Sequence, residues 1–220
     1  KHFRIQTKEL DNPEFTANSP DRCYICKKNR FAEIFKIASQ KGWGTLVDGT
    51  NADDHKDYRP GMRATDELNI RSPLSEAGLT KDEIRLLSQT VALPTWNKPA
   101  SACLASRIPY GTPITATRLK QIDTGEAFLR DLGLSGQVRV RHHGDVVRLE
   151  VDASEIPKLV EEMMRKRVVN FFNDHGFQFV ALDLEGYTVG SLNRSLSISE
   201  KGQTHGQPTP EASSGTGPER

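Results

Sequence analysis

Residues 137–151 constrain this chain more than any other stretch. Val138, Arg139, Val140 and Arg141 alternate apolar and charged, a polar turn runs from His142 to Asp145, and alternation resumes through Val151. A repeat of two residues marks a strand with unlike faces. Two strands are therefore predicted around that turn, with Arg139, Arg141 and His143 on one face and Val138 and Val140 on the other. On both sides the apolar spacing becomes helical. Leu119, Ile122, Phe128, Leu129 and Leu132 predict a helix over 117–132, and one long helix is predicted over 154–175, followed by a strand over 177–184. The order α-β-β-α-β suggests a small two-layer α+β unit.

Upstream the pattern differs. Residues 3–10 read as a short strand and 11–21 as a loop. Ser19 as N-cap and Pro20 at the first helical position predict a helix to about Gln40, stopped by Gly42. Residues 44–47 read as a second short strand ending in Asp48-Gly49-Thr50, which gives an α/β order. Residues 51–70 read as loop. Residues 80–92 read as an amphipathic helix opened by a Thr80–Glu83 capping box. Residues 94–114 hold five prolines or glycines, and so long an irregular segment inside a folded chain is usually a functional loop or a linker. From Ser199 onward almost no apolar residue remains, and a disordered tail is expected. The divisions expected are 1–112, 113–198 and the tail 199–220.

A length of 220 residues suits one or two domains. Lys and Arg total 30 against 29 Asp and Glu, a net charge of +1 that argues against a general nucleic-acid binder. No apolar run approaches the ~20 residues that span a bilayer, and no signal-peptide pattern is present. The expectation is a cytoplasmic protein without a membrane partner.

The three cysteines, Cys23, Cys26 and Cys103, make a poor disulfide framework. Cys23 and Cys26 share one face of the first predicted helix, where the helix terminus and Arg22, Lys27, Lys28 and Arg30 favour thiolate. Three thiolates suit an iron–sulfur cluster with one open iron, or zinc with a further ligand. A redox pair plus an inert buried cysteine stands beside these on equal terms. Arg139 and Arg141, neighbours on one strand face, suit a phosphate or carboxylate, with Glu126 and Glu150 placed to orient them. A solvated face with surface ion pairs is the slightly favoured alternative. Asp48-Gly49-Thr50-Asn51 ends a predicted strand, where open α/β sheets bind ligands, and is equally a plain turn. Asp53, Asp54, His55 and Asp57 could hold a metal but read more simply as a solvated loop.

Several segments together resemble the LarE family, ATP-dependent sulfur transferases of the PP-loop ATP pyrophosphatase superfamily. They are Asp48-Gly49-Thr50-Asn51-Ala52-Asp53-Asp54, Asp57-Tyr58-Arg59-Pro60-Gly61, Arg71-Ser72-Pro73-Leu74 and the run from Trp96 through Lys98-Pro99-Ala100-Ser101 and Cys103 to Pro109-Tyr110-Gly111. The resemblance covers about residues 1–197. It implies an α/β fold: a parallel-sheet PP-loop domain (adenine nucleotide alpha hydrolase-like) over 1–112, N-terminally incomplete, followed by a small α+β substrate or oligomerisation domain. It implies a role in making the nickel-pincer nucleotide of lactate racemase. ATP and Mg²⁺ adenylate the carboxylates of a pyridinium biscarboxylate mononucleotide, and sulfur then replaces oxygen to give thiocarboxylates.

One branch of the family gives up a cysteine sulfur at the position of Ala102, so this chain departs from it, its cysteine lying one residue later. The Cys23-x-x-Cys26 pattern with Cys103 is instead similar to the cluster-dependent branch, which implies a 4Fe-4S cluster held by Cys23, Cys26 and Cys103 with sulfide on the free iron. Carried over in the same way, Ser106, Arg107, Arg139 and Arg141 meet the substrate's phosphate and carboxylates, Glu126 and Glu150 orient them, and Asp48, Gly49 and Thr50 neighbour ATP. A homo-oligomer is implied. The family's Ser-Gly-Gly-x-Asp-Ser loop has no counterpart, since the sequence contains no Gly-Gly. The chain as given is therefore expected not to split ATP into AMP and pyrophosphate, and its parallel sheet is expected to be incomplete. A related tRNA-thiolation enzyme, disfavoured by the neutral charge, a non-catalytic metal- or nucleotide-binding module and a zinc protein are the competing readings.

Overall fold

The computed structural model describes residues 2–56, 59–98 and 102–196. The expected tail, Asp57 and residues 99–101 lie outside the described residues. The first helix is opened by Asn12, whose Oδ1 accepts from the Glu14 and Phe15 amides at 2.9 and 3.4 Å, and by Pro13, whose absent N–H is no loss there. This gives α1 (Pro13–Thr16). Residues 3–10 form no strand: coil leads into a 3₁₀ turn at Glu9–Asp11, and Glu9 Oε1 accepts from Arg30 Nε at 2.7 Å. The long α2 (Arg22–Gln40) follows Asp21, so the predicted Ser19 cap is corrected. The Ser19 carbonyl instead accepts the Arg22 amide at 2.9 Å in the turn before the helix. Gly42 ends the helix as expected, in the left-handed region at φ 63° that glycine tolerates best.

The strand expected over 44–47 is reduced to one parallel bridge between Val47 and Arg71. The loop expected over 51–70 contains a 3₁₀ turn, Ala52–Lys56, and α3 (Gly61–Glu67). Pro60, at φ −57°, launches that helix rather than breaking the chain. The one-turn α4 (Pro73–Glu76) leads to α5 (Lys81–Thr90), where the capping box is formed: Thr80 N donates to Glu83 Oε2 at 2.8 Å and Glu83 N to Thr80 Oγ1 at 3.4 Å. Thr115 Oγ1 caps α6 (Ala116–Asp131), close to the predicted bounds.

The strands β1 (Val138–His143) and β2 (Val146–Val151) form the antiparallel pair that the alternation predicts. The long helix expected next is divided. A 3₁₀ turn and α7 (Ile156–Val160) are separated from α8 (Glu162–Asp174) by Glu161, which takes an extended conformation at ψ 139°. That single residue re-aims the chain so that Leu159 and Phe172 both reach the same core. The strand β3 (Phe179–Leu182) pairs parallel with β2, in the sheet order β1-β2-β3.

The fold is thus α/β with a small mixed sheet. Ile122 and Leu129 of α6 and Val168 and Phe172 of α8 are buried with Val138, Val140, Val147 and Leu149 of the sheet. Phe15, Ala105 and Ile108 join the same cluster from the first half of the chain. Gly125 sits where α6 meets α8: a Cβ there would lie 2.7 Å from Phe172 Cε1. Among the described residues no helix is long and apolar enough to cross a membrane.

Candidate functional site around Cys103

The site is organised by two polar residues that bolt α2 to the 102–112 segment. Asn18, fully buried at φ 57°, donates Nδ2 to the carbonyls of Pro109 and Thr112, both at 2.8 Å. Arg22, also buried, donates Nη1 to Asn18 Oδ1 at 2.5 Å and to the Ala105 carbonyl at 3.0 Å. The first turns of α2, with Cys23 and Cys26, are thereby docked on the 3₁₀ turn Leu104–Arg107, whose N-cap is Cys103. All three thiols are free; Cys23 and Cys103 are exposed and Cys26 is half-buried.

The thiols share one electrostatic neighbourhood. Burial pushes the Cys26 thiol above its ordinary pKa; Arg30, one turn on, opposes this, while negative charge on Glu9, Cys103 and Cys23 reinforces it. The expectation that basic neighbours favour thiolate is corrected at Cys26, where burial outweighs the arginine. Among the described residues no three Cys, His, Asp or Glu side chains converge tightly enough to hold a single metal ion. A thiol-only donor set is the type that iron–sulfur clusters take, and there the ligands are distributed over separate irons.

Beside the cysteines lies a buried set of arginines and glutamates. The solvated face weighed from sequence is not what forms: Arg139 and Arg141 are each only 5% exposed. Arg107 meets Glu126 through Nε to Oε1 at 2.7 Å and Nη2 to Oε2 at 3.1 Å. Its Nη1 lies within 3.1 Å of the Ala102 and Cys103 carbonyls and of Ser106 Oγ. Arg130 also reaches Glu126, whose Oε1 accepts the Val140 amide on the outer side of β1 at 3.3 Å. Arg141 donates to the Ser106 carbonyl, Glu150 and Ser191 Oγ, each at 2.7 Å, and its buried Nε has no partner. Arg139 donates to the Val138 carbonyl and Gln137 Oε1 and lies over the Tyr187 ring. Burial lowers the Arg139 pKa, and the nearby cations Arg107 and Arg141 push the same way, while Glu126 counters them.

The structure therefore joins Cys103, Ser106, Arg107, Glu126, Arg141 and Glu150 through a chain of hydrogen bonds, with Cys23, Cys26 and Arg139 beside it. Asp48, Gly49 and Thr50 stand outside that chain, tied to α2 at Lys27. Asp48 accepts from Lys27 Nζ at 2.9 Å, Ser72 Oγ at 2.7 Å and Thr50 Oγ1 at 2.8 Å. Burial would raise its pKa, but those bonds outweigh burial and hold it at about 2. A cavity of about 240 Å³ adjoins this turn, lined by Thr50, His55, Thr65, Asp66, Ser72 and Glu76 among others. The acidic run is occupied in loop bonds: Asp53 accepts the Lys81 amide and Asp54 the Asn51 amide.

No protein-family model matches the chain. It is 43% identical over 195 residues to an uncharacterized protein of Synechocystis sp., covering 89% of this chain and 72% of that protein. It is 37% identical over 187 residues to the pyridinium-3,5-bisthiocarboxylic acid mononucleotide synthase of Lactiplantibacillus plantarum, covering 85% of this chain and 67% of that enzyme. The chain belongs to the LarE family. An uncharacterized protein of Methanocaldococcus jannaschii is 31% identical over 187 residues, covering 85% of this chain and 72% of its own length.

Sequence reasoning about this LarE-family chain missed Asn18, and read Arg22 only as a cation beside the cysteines and not as a group that docks α2. Both lay in or beside a segment read as polar loop. The available signal was weak: an asparagine placed before Ser-Pro, a residue type that tolerates the left-handed region, and an arginine preceding the first cysteine.

Proposed function

We propose that this chain acts in ATP-dependent sulfur transfer to the carboxylates of a pyridinium biscarboxylate mononucleotide, yielding thiocarboxylates for nickel-pincer nucleotide synthesis. The observation that carries the reading is the 37% identity to an enzyme whose name states the bisthiocarboxylic product. In this reading residues 1–112 are a PP-loop-type domain, residues 113–198 contribute the substrate side, and the protein assembles as a homo-oligomer. Mg²⁺ and ATP serve adenylation near the Asp48-Gly49-Thr50 turn, whose carboxylate stays ionised at working pH.

Cys23, Cys26 and Cys103 are the residues that would hold a 4Fe-4S cluster. When bound, such a group supplies a sulfide on the iron that lacks a protein ligand. Support comes from a thiol-only donor set on α2 and on the 104–107 turn, two segments that Arg22 docks against each other. Arg139, Arg141 and the Ser106 hydroxyl receive the substrate's anionic groups. Their burial strengthens such contacts, because little water competes there. Glu150 holds Arg141 in place, and Glu126 holds the neighbouring Arg107.

The test supplies the nucleotide in two forms, as the free carboxylate with ATP and Mg²⁺ and as preformed acyl-adenylate, and follows products by mass spectrometry. Thiocarboxylate from the acyl-adenylate, lost in Cys103→Ala, is the expected result. Hydrolysis to carboxylate alone, with anaerobically prepared protein and sulfide present, contradicts the proposal. Thiocarboxylate formed with AMP and pyrophosphate from the free carboxylate and ATP is the result expected if this chain carries the adenylation step as well.

A further inference from the structure

We propose that Arg107 is a positioning residue for Cys103, acting through the main chain of the turn that presents the thiol. Cys103 is exposed and its side chain makes no capping bond. Its backbone therefore sets the point from which the sulfur reaches, leaving only χ1 to choose among staggered positions. That backbone is held from below. Arg107 Nη1 lies 3.0 Å from the Ala102 carbonyl and 3.1 Å from the Cys103 carbonyl. The Cys103 carbonyl also accepts from the Ser106 amide at 2.9 Å and from Ser106 Oγ at 2.7 Å. On the far side of the turn, Arg141 Nη1 grips the Ser106 carbonyl at 2.7 Å.

The orientation of the Arg107 fork is in turn fixed by the core. Two parallel bonds tie it to Glu126, and the two side chains are 3% and 2% exposed. Glu126 belongs to α6, packed against the sheet, so the turn is referenced to the core and does not follow the solvent-exposed loop. A planar fork is required, because one group must face a carboxylate on one edge and two carbonyls on another. Lysine offers a single ammonium and cannot do both. Loss of the ion pair alone, by contrast, would loosen α6 and the sheet behind Glu126 and not the 104–108 turn in particular.

That difference supplies the test. The inference rests on the proposed sulfur-handling role of Cys103, but the readout does not. Hydrogen exchange is followed by mass spectrometry on the metal-free chain and on Arg107→Lys. The amides of 104–108 should exchange about tenfold faster or more in the variant, the scale expected for losing a charge-assisted bond. Exchange in β1 and β2 should change little. Iron bound per chain should fall in the same variant with all three cysteines intact. Unchanged exchange over 104–108 in a folded Arg107→Lys overturns the proposal. If that variant does not fold, Glu126→Gln carries the same test, since its amide N–H₂ opposes the guanidinium, and unchanged exchange there overturns it equally. If the parent chain binds no iron, the proposed function fails, while the exchange data still decide the role of Arg107.

Discussion

Arg141 and Arg148 stand directly opposite each other in the β1–β2 register, and both turn to Glu150, at 2.7 and 3.0 Å. Like charges facing across neighbouring strands are destabilising unless something compensates. Here one fully buried carboxylate does so for both, with Ser191 Oγ completing its contacts at 3.1 Å. Arg141, one of the two arginines proposed to meet an anionic substrate, is thus held opposite Arg148 by Glu150.

Glu150→Gln should expose that dependence. The substitution keeps the shape and removes the charge, leaving Arg141 buried beside Arg148. Breaking a buried pair by losing one partner costs about 3–5 kcal/mol, and the urea midpoint should fall accordingly. An unchanged midpoint would mean that Arg148, which is 35% exposed, swings into solvent and leaves Arg141 satisfied by other groups.

Gly125→Ala should also destabilise, although alanine is the better helix former. The added methyl would meet Phe172 at 2.7 and 3.1 Å and Val140 Cγ2 at 3.3 Å. Overpacking of this kind costs about 1–3 kcal/mol, offset by about 1 kcal/mol of helix propensity. A net loss is expected, relieved when Phe172→Leu is added. A stabilised Gly125→Ala would show that α6 shifts freely on the sheet.

Acid should weaken the fold in two windows. Burial holds the His142 pKa below 6.5, and Arg118 and then His143 push it the same way. Its ring lies against Phe177, and Nε2 faces Gln121 Oε1 at 3.2 Å. The unfolded chain therefore takes up this proton first. The stabilising term is complete above the unfolded value of 6.5 and is lost as pH falls from there toward the folded value. Asp48, held at about 2 against an unfolded 3.8, adds a second loss between those values. Melting temperatures measured from about pH 7.5 to about pH 5 should fall in the parent and stay flatter in His142→Gln. An equal slope in the variant would assign the effect to another group.

Much of the fold was legible where one local rule governs. The β1–β2 pair followed from alternation, and α5 from the Thr80–Glu83 box, because neither needs a distant partner to be recognised. The errors occurred where tertiary contacts decide. Nothing at Glu161 marks a break, since no glycine or proline stands there, yet one extended residue lets Leu159 and Phe172 share a core. Residues 44–47 carry strand composition, but a strand needs a ladder, and Val47 finds one bridge. At the site, the residue types and the Glu150–Arg141 partnership were readable, and the partners of Glu126 were not. Glu126 was expected to orient Arg139 and Arg141; its ion pairs are with Arg107 and Arg130.

Asn18 shows the same lesson as a prediction. Asn18→Ala removes donors to two carbonyls at 2.8 Å and places a β-carbon residue without a polar tip in the left-handed region. A loss of about 2–3 kcal/mol is expected from the unsatisfied buried groups and the backbone strain. Exchange of the Gly111 amide, which bonds the Asn18 carbonyl at 2.9 Å, should quicken with it. Normal stability would mean that Arg22 alone suffices to dock α2.

We propose that Cys23, Cys26 and Cys103 form one sulfur-handling site. Anaerobic purification, with iron, zinc and acid-labile sulfide quantified per chain, tests it most directly. About four irons with labile sulfide are expected, lost in each of Cys23→Ala, Cys26→Ala and Cys103→Ala. Zinc alone, no metal, or iron retained without Cys103 would contradict it.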